Sequence, residues 1–306
     1  MNALRERSQE YLTVRRALGF KLVGEGRLLA DYVTFAEQSG AATLTTRLAV
    51  AFTRLATNGS PAYLARRMRV TRSFARYLQT LDAHTEIPPN DLFPSRNYRP
   101  TPYIYADAET LALMAAAREL APPLRAATFD TLIGLLAATG LRIGEALTLD
   151  RDDVDWSQGS LRVRDSKFNK SREVLLHPST REALRAYSGQ RERLSPCPSA
   201  PSFFVSTRGT RLLHATVYPT FRGLLRRVFG EDTSCRRRIH DFRHAFAVNT
   251  LLAWYRDGGD VAARLPLLST YLGHVDPAAT YWYLSAVPEL LALAAQRLEP
   301  SPEGRS

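Results

Sequence analysis

Residues 268–291 read LSTYLGHVDPAATYWYLSAVPELL. Leu272, Gly273 and His274 close an apolar helical run at a glycine, and Tyr283 follows nine positions after His274. Taken alone, Tyr281, Trp282 and Tyr283 read as packing aromatics. A phenol of ordinary pKa, about 10, is a poor nucleophile. Chemistry at Tyr283 therefore requires neighbours that stabilise negative charge on whatever it attacks, and the segments upstream contain candidates.

Residues 239–252, IHDFRHAFAVNTLL, place His240, Arg243 and His244 on adjacent turns of one expected helix. A guanidinium offers paired donors that suit two phosphate oxygens, and an imidazole can donate a hydrogen bond or carry a proton. His240 and His244 also have the i, i+4 spacing of a zinc helix. The intervening Asp241, Phe242 and Arg243 lack the glutamate of that motif, and a cation beside a metal is unfavourable, so no metal is assigned. From the residues alone, His244 reads as core-facing.

Further upstream, Leu161 and Val163 alternate with polar residues, as do Val174 and Leu176, around the polar turn DSKFNKS. This pattern predicts a β-hairpin inside a helical domain. Lysine occurs only at 21, 167 and 170 in a chain with 41 basic residues, so two of three lysines lie in this turn. A lysine can give up its proton where an arginine effectively cannot, which makes Lys167 and Lys170 candidates for proton transfer. Residues 138–149, ATGLRIGEALTL, predict a glycine turn at Gly140 into a short helix carrying Arg142 and Glu145.

Arg142 with Glu145, Lys167 in a hairpin, HDFRH, LGH and a tyrosine nine residues later resemble, in order and spacing, the tyrosine recombinase (phage integrase) family across residues 103 to about 290. The tail TYWYLSAVPELL is similar to a transposon-associated branch. The resemblance implies an amino-terminal helical core-binding domain and a mixed, mostly helical catalytic domain. It also implies that Arg142 and Arg243 bind the scissile phosphate, that Lys167 protonates the departing 5′-hydroxyl, and that Tyr283 forms a 3′-phosphotyrosine. His240 and His274 would assist by hydrogen bonding and proton transfer, with Glu145 and His244 in support. No cofactor is called for, and no P-loop is present. A type IB-like topoisomerase and a catalytically inactive DNA-binding accessory protein are the alternative readings.

The rest of the chain is consistent with a DNA enzyme. Lysines and arginines exceed acids to leave a net charge of +11, which favours a polyanionic partner. Five prolines between Ile87 and Pro102 mark a linker, giving a helical domain at 1–86 and a catalytic domain at 103–306. Helices are expected near Ser8–Leu18, Arg27–Gln38, Thr46–Ala56 and Pro61–Leu81. In the last, Val70, Phe74, Tyr77 and Leu81 form an apolar stripe beside Arg66, Arg69, Arg72 and Arg76, a candidate face for phosphates. The helix Thr216–Val228, with Arg222, Arg226 and Arg227, is a second candidate.

Exchange of two duplexes needs four cleavages, so a homo- or hetero-tetramer on double-stranded DNA is expected, and the apolar segment Val287–Leu298 suits docking on a neighbouring subunit or, equally, packing within its own domain. The charged start MNALRERSQEYL lacks a signal-peptide core, and no apolar run approaches the roughly 20 residues that span a bilayer. Two cysteines, Cys197 and Cys235, without metal spacing suit a reducing cytoplasm.

Overall fold

The computed structural model describes residues 2–41, 43–93, 101–164, 171–195, 199–231, 236–274, 276, 278–286 and 288–298. The chain divides into two compact units, Met1–Pro100 and Thr101–Ser306. Both are mainly helical, and a small sheet lies in the second.

The first unit contains α1 (Asn2–Ala17), α2 (Val23–Gln38), α3 (Thr46–Arg54) and α4 (Pro61–Gln79). Side chains fix two of the starts: Thr45 accepts from the Leu48 N–H, and Ser60 accepts from the Tyr63 N–H with Pro61 in the first turn. Leu28, Leu29, Tyr32, Phe52, Met68 and Phe74 form the core. Arg67 is buried against it, its Nη2 donating to the Phe52 carbonyl at 2.7 Å while its guanidinium stacks 3.8 Å from the Phe52 ring centroid. Helix α4 stops at Gln79, two residues short of the expected end. Leu81 therefore leaves the apolar stripe and is exposed, whereas Val70 and Phe74 are buried as the pattern implies.

The second unit begins with α5 (Asp107–Arg118) and α6 (Pro123–Thr139). Helix α6 packs against α5, and buried residues occur all round it. Next come α7 (Ile143–Thr148) and an antiparallel sheet of β1 (Val154–Asp155), β2 (Ser160–Val163) and β3 (Arg172–Leu175) in the order β1-β2-β3. Leu161 pairs with Val174, and Val163 with Arg172, so the expected hairpin is present with one further strand. The turn carrying Lys167 and Lys170 lies outside the described residues.

Among the described residues, six helices complete the unit: α8 (Pro178–Leu194), α9 (His214–Phe229), α10 (Asp241–Arg256), α11 (Val261–Leu272), α12 (Ala278–Ala286) and α13 (Pro288–Leu298). Helix α6 also meets α8 and α10. A separate apolar cluster joins α10 to α13 and includes Leu251, Leu265, Leu272, Tyr283 and Leu290. The segment suited to either packing thus packs on α10 of its own unit here, where fully buried Leu290 removes apolar surface from water. Among the described residues, no helix is long and apolar enough to cross a membrane.

Candidate active site

Two left-handed glycines shape the site. Gly140 ends α6 at φ +61°, and a Cβ there would lie 2.6 Å from Phe246. Gly273 ends α11 at φ +67°, and a Cβ there would lie 2.8 Å from the Arg172 guanidinium. Both positions need glycine for conformation and for space. Each turns the chain sharply, one just before Arg142 and the other just before His274.

The helix ends also provide acceptors. Arg243, in the first turn of α10, is buried, and it donates from Nη1 to the Gly140 carbonyl at 2.9 Å and from Nη2 to the Leu272 carbonyl at 2.6 Å. The partial negative charge of two helix C-termini thus meets a buried cation. Burial, followed by repulsion from Arg142, pushes the Arg243 pKa down to about 10, which leaves it charged at neutral pH. Just ahead of it, buried Asp241 accepts from the backbone and side chain of Arg238, anchoring the start of α10.

Arg142 precedes α7. Its Nη1 donates to Glu145 Oε1 at 2.7 Å and its Nη2 to the Gly273 carbonyl at 3.0 Å, while its backbone N–H donates to Glu145 Oε2 at 2.9 Å. Arg142 is thus at the mouth of the helix expected to carry it. Burial alone would raise the Glu145 pKa. Hydrogen bonds and charge from Arg172, reinforced by Arg142, overcome that effect and hold it at about 2.

His240 and His244 lie edge to face, with ring centroids 4.9 Å apart. His240 keeps solvent access, yet the protein around its ring excludes enough water to lower its pKa. Together with Arg243, Arg238 and Arg142, this brings the value to about 4. The ring is therefore neutral at pH 7. His274 Nδ1 is 2.7 Å from Thr280 Oγ1, and its ring is stacked 6.3 Å from that of Tyr283. Tyr283 is 2% exposed, and its hydroxyl lies 3.1 Å from His244 Nδ1.

The described site residues thus converge from the start of α7, α10, α12 and the end of α11, through hydrogen bonds to the Leu272–Gly273 turn and ring contacts among His240, His244, His274 and Tyr283. His244 meets the hydroxyl of Tyr283, which is buried in the apolar cluster of α10 to α13. No group of three or more His, Cys, Asp or Glu residues that could hold a metal ion occurs among the described residues.

The arginines expected at a DNA face divide into two groups. Arg69, Arg76, Arg222 and Arg226 are exposed. Arg66 pairs with Glu25 at 2.8 Å, and Arg72 donates to the carbonyls of Pro88 and Pro89 at 2.7 and 2.5 Å. The stripe in α4 therefore alternates between internal anchors and exposed cations.

Sequence reasoning missed Arg172 and Thr280. Arg172 could have been found: in the hairpin it shares a face with buried Val174, and a cation on the inner face of a strand requires an acid. Glu145, on the short helix near the site, is that acid. Thr280 carried no comparable signal.

The model of the phage integrase family matches residues 105–289. The integrase/recombinase-type protein y4rB of Sinorhizobium fredii is 40% identical over the whole of both chains. Tyrosine recombinase XerD of Caulobacter vibrioides is 31% identical, covering 79% of this chain and 76% of that protein. Among solved structures, the Tn1549 transposon integrase in complex with transposon right end DNA superposes with a TM-score of 0.67, covering 95% of this chain and 99% of that one. With 15% identity, that likeness concerns the fold.

Proposed function

The chain belongs to the phage integrase family of tyrosine recombinases, and from that premise we propose that its own residues cleave and rejoin DNA strands by a 3′-phosphotyrosine route with Tyr283 as nucleophile. The Tyr283 oxygen attacks the scissile phosphorus, the bond to the 5′-oxygen breaks, and the 5′-hydroxyl departs with a proton. Arg142 and Arg243 neutralise the non-bridging oxygens. A guanidinium has five donors, so anchoring two on the protein leaves capacity for phosphate. Lys167 is the proposed acid for the leaving oxygen. His240 and His274 supply hydrogen bonds and proton transfer around the phosphorus.

One observation carries this reading. Arg142 and Arg243 donate to the adjacent carbonyls of Gly273 and Leu272, directly before His274, whose ring stacks toward Tyr283. Two cations, an imidazole and a phenol from separate elements are therefore tied to a single backbone turn.

The arrangement suggests why neither metal nor ATP enters the scheme. Well-placed donors on a phosphate's developing charge contribute about 3 kcal/mol each, by analogy with oxyanion holes. The phosphotyrosine keeps the ester bond, so the 5′-hydroxyl can re-form the strand without another energy source. Exchange of two duplexes requires four such tyrosines, so we assign a tetramer on DNA, acting in the cytoplasm. The resemblance of y4rB and of the Tn1549 integrase supports a mobile element as the substrate.

The test is incubation with a pool of nicked duplexes of random sequence, followed by recovery and sequencing of DNA that remains on the protein in denaturant. An adduct formed in EDTA without ATP, and absent in Tyr283→Phe, is expected. An adduct that persists in that variant rejects the assignment.

A further inference from the structure

Arg172 begins β3 opposite Val163, and its side chain is 11% exposed. All three guanidinium nitrogens are engaged: Nε donates to the Tyr271 carbonyl at 2.7 Å, Nη1 to Glu145 Oε1 at 3.0 Å and Nη2 to Glu145 Oε2 at 3.0 Å. It therefore joins the strand, α7 and the last turn of α11. The close approach of Gly273 leaves no room for a side chain between them.

The Glu145 carboxylate is saturated. Oε1 accepts from Arg142 Nη1 and Arg172 Nη1, while Oε2 accepts from the Arg142 backbone and Arg172 Nη2. Two oxygens with about four lone-pair sites meet four donors. The charge count matters as much as the geometry. Arg142, Arg172 and Glu145 together carry one net positive charge. Without Arg172, the remaining Arg142–Glu145 pair would be neutral, and a buried carboxylate with one cation left would draw that cation toward itself.

Building on the recombinase reading, we propose that Arg172 is a positioning residue that satisfies Glu145 and so keeps the charge of Arg142 available to the scissile phosphate. It need not touch DNA. Its bidentate grip sets the carboxylate plane against which the Arg142 guanidinium and backbone are oriented. Its Nε contact fixes the same assembly to the turn that carries His274. Lysine at this position would retain the charge but lose the two-pronged grip.

The test measures single-turnover cleavage rate constants on a nicked duplex recovered from the random pool by the wild-type protein. The scissile group is either the natural phosphodiester or a methylphosphonate, which lacks the negative charge that Arg142 would balance. For Arg172→Met, cleavage of the diester is expected to fall roughly 10- to 100-fold, while the methylphosphonate loses less than about 3-fold. The double variant Arg172→Met with Glu145→Gln removes both charges and is expected to recover about 5-fold or more on the diester relative to Arg172→Met.

Equal losses on both substrates, or a double variant worse than the single one, would overturn the proposal. The ratio of the two rate constants is internal to each variant, so partial loss of folded protein does not affect it. A wild-type protein that forms no adduct with any duplex rejects the recombinase reading. Normal wild-type cleavage with an unaffected Arg172→Met rejects this inference alone.

Discussion

The Tyr283 hydroxyl lies 3.1 Å from His244 Nδ1, inside an apolar cluster shared by α10, α11, α12 and α13. A phenol in that position is held by an imidazole and shielded from solvent. Tyr281, two residues earlier, points outward and is 53% exposed. We expect nitration of the DNA-free protein to modify Tyr281 and spare Tyr283, with peptide mass spectrometry as the readout. Equal modification of both would show that Tyr283 is not sequestered.

Removing the imidazole should loosen this arrangement. His244→Ala deletes the hydrogen bond to Tyr283 and the ring contacts with His240, Trp282 and Tyr283. A loss of about 1 kcal/mol in unfolding free energy is expected from the hydrogen bond. Urea denaturation measures it, and nitration of Tyr283 should rise in parallel.

Arg243→Lys tests whether the buried guanidinium acts through its shape. An ammonium is a point donor and cannot span the Gly140 and Leu272 carbonyls as the planar fork does. Cleavage should fall about 10²- to 10³-fold, as for removal of one preorganised donor to developing charge. A lysine variant within a few-fold of wild type would indicate that charge alone suffices.

The pH dependence of stability should show two windows of the same sign. His240 has its pKa lowered from the ordinary 6.5 to about 4, so the unfolded chain binds the proton more readily. Stability linked to it is intact above pH 6.5 and declines as pH falls toward 4. Glu145, lowered from 4.5 to about 2, contributes above pH 4.5, and that contribution is lost as pH falls toward 2. Urea unfolding between pH 3 and 7 checks both: His240→Gln should flatten only the upper window and Glu145→Gln only the lower.

The site was legible where function constrains short-range spacing. His240 immediately precedes α10 while Arg243 and His244 lie in its first turn, and the glycine before His274 ends another helix, so local rules place them. The β-hairpin was legible because Leu161 and Val174 alternate with polar residues and pair across the strands. What stayed hidden depends on contacts remote in sequence. Arg172 shares the inner face of its strand with Val174 and so calls for an acid, but that the acid is Glu145, 27 positions away, is not readable from the sequence. In α4, Arg66 and Arg72 follow the same helical period as Arg69 and Arg76, and only tertiary packing on Glu25 and the proline carbonyls separates the two groups. The apolar character of the final helix was plain. Its packing on α10 of the same unit was not, because hydrophobicity has no direction.

The most direct test is peptide mapping of the covalent protein–DNA adduct. After nuclease and protease digestion, the mass of a 3′-phosphonucleotide should be found on Tyr283, within the peptide that also contains Tyr281 and Trp282. Fragmentation that places the nucleotide on Tyr281, or on any residue outside α12, would contradict the assignment of Tyr283 as nucleophile.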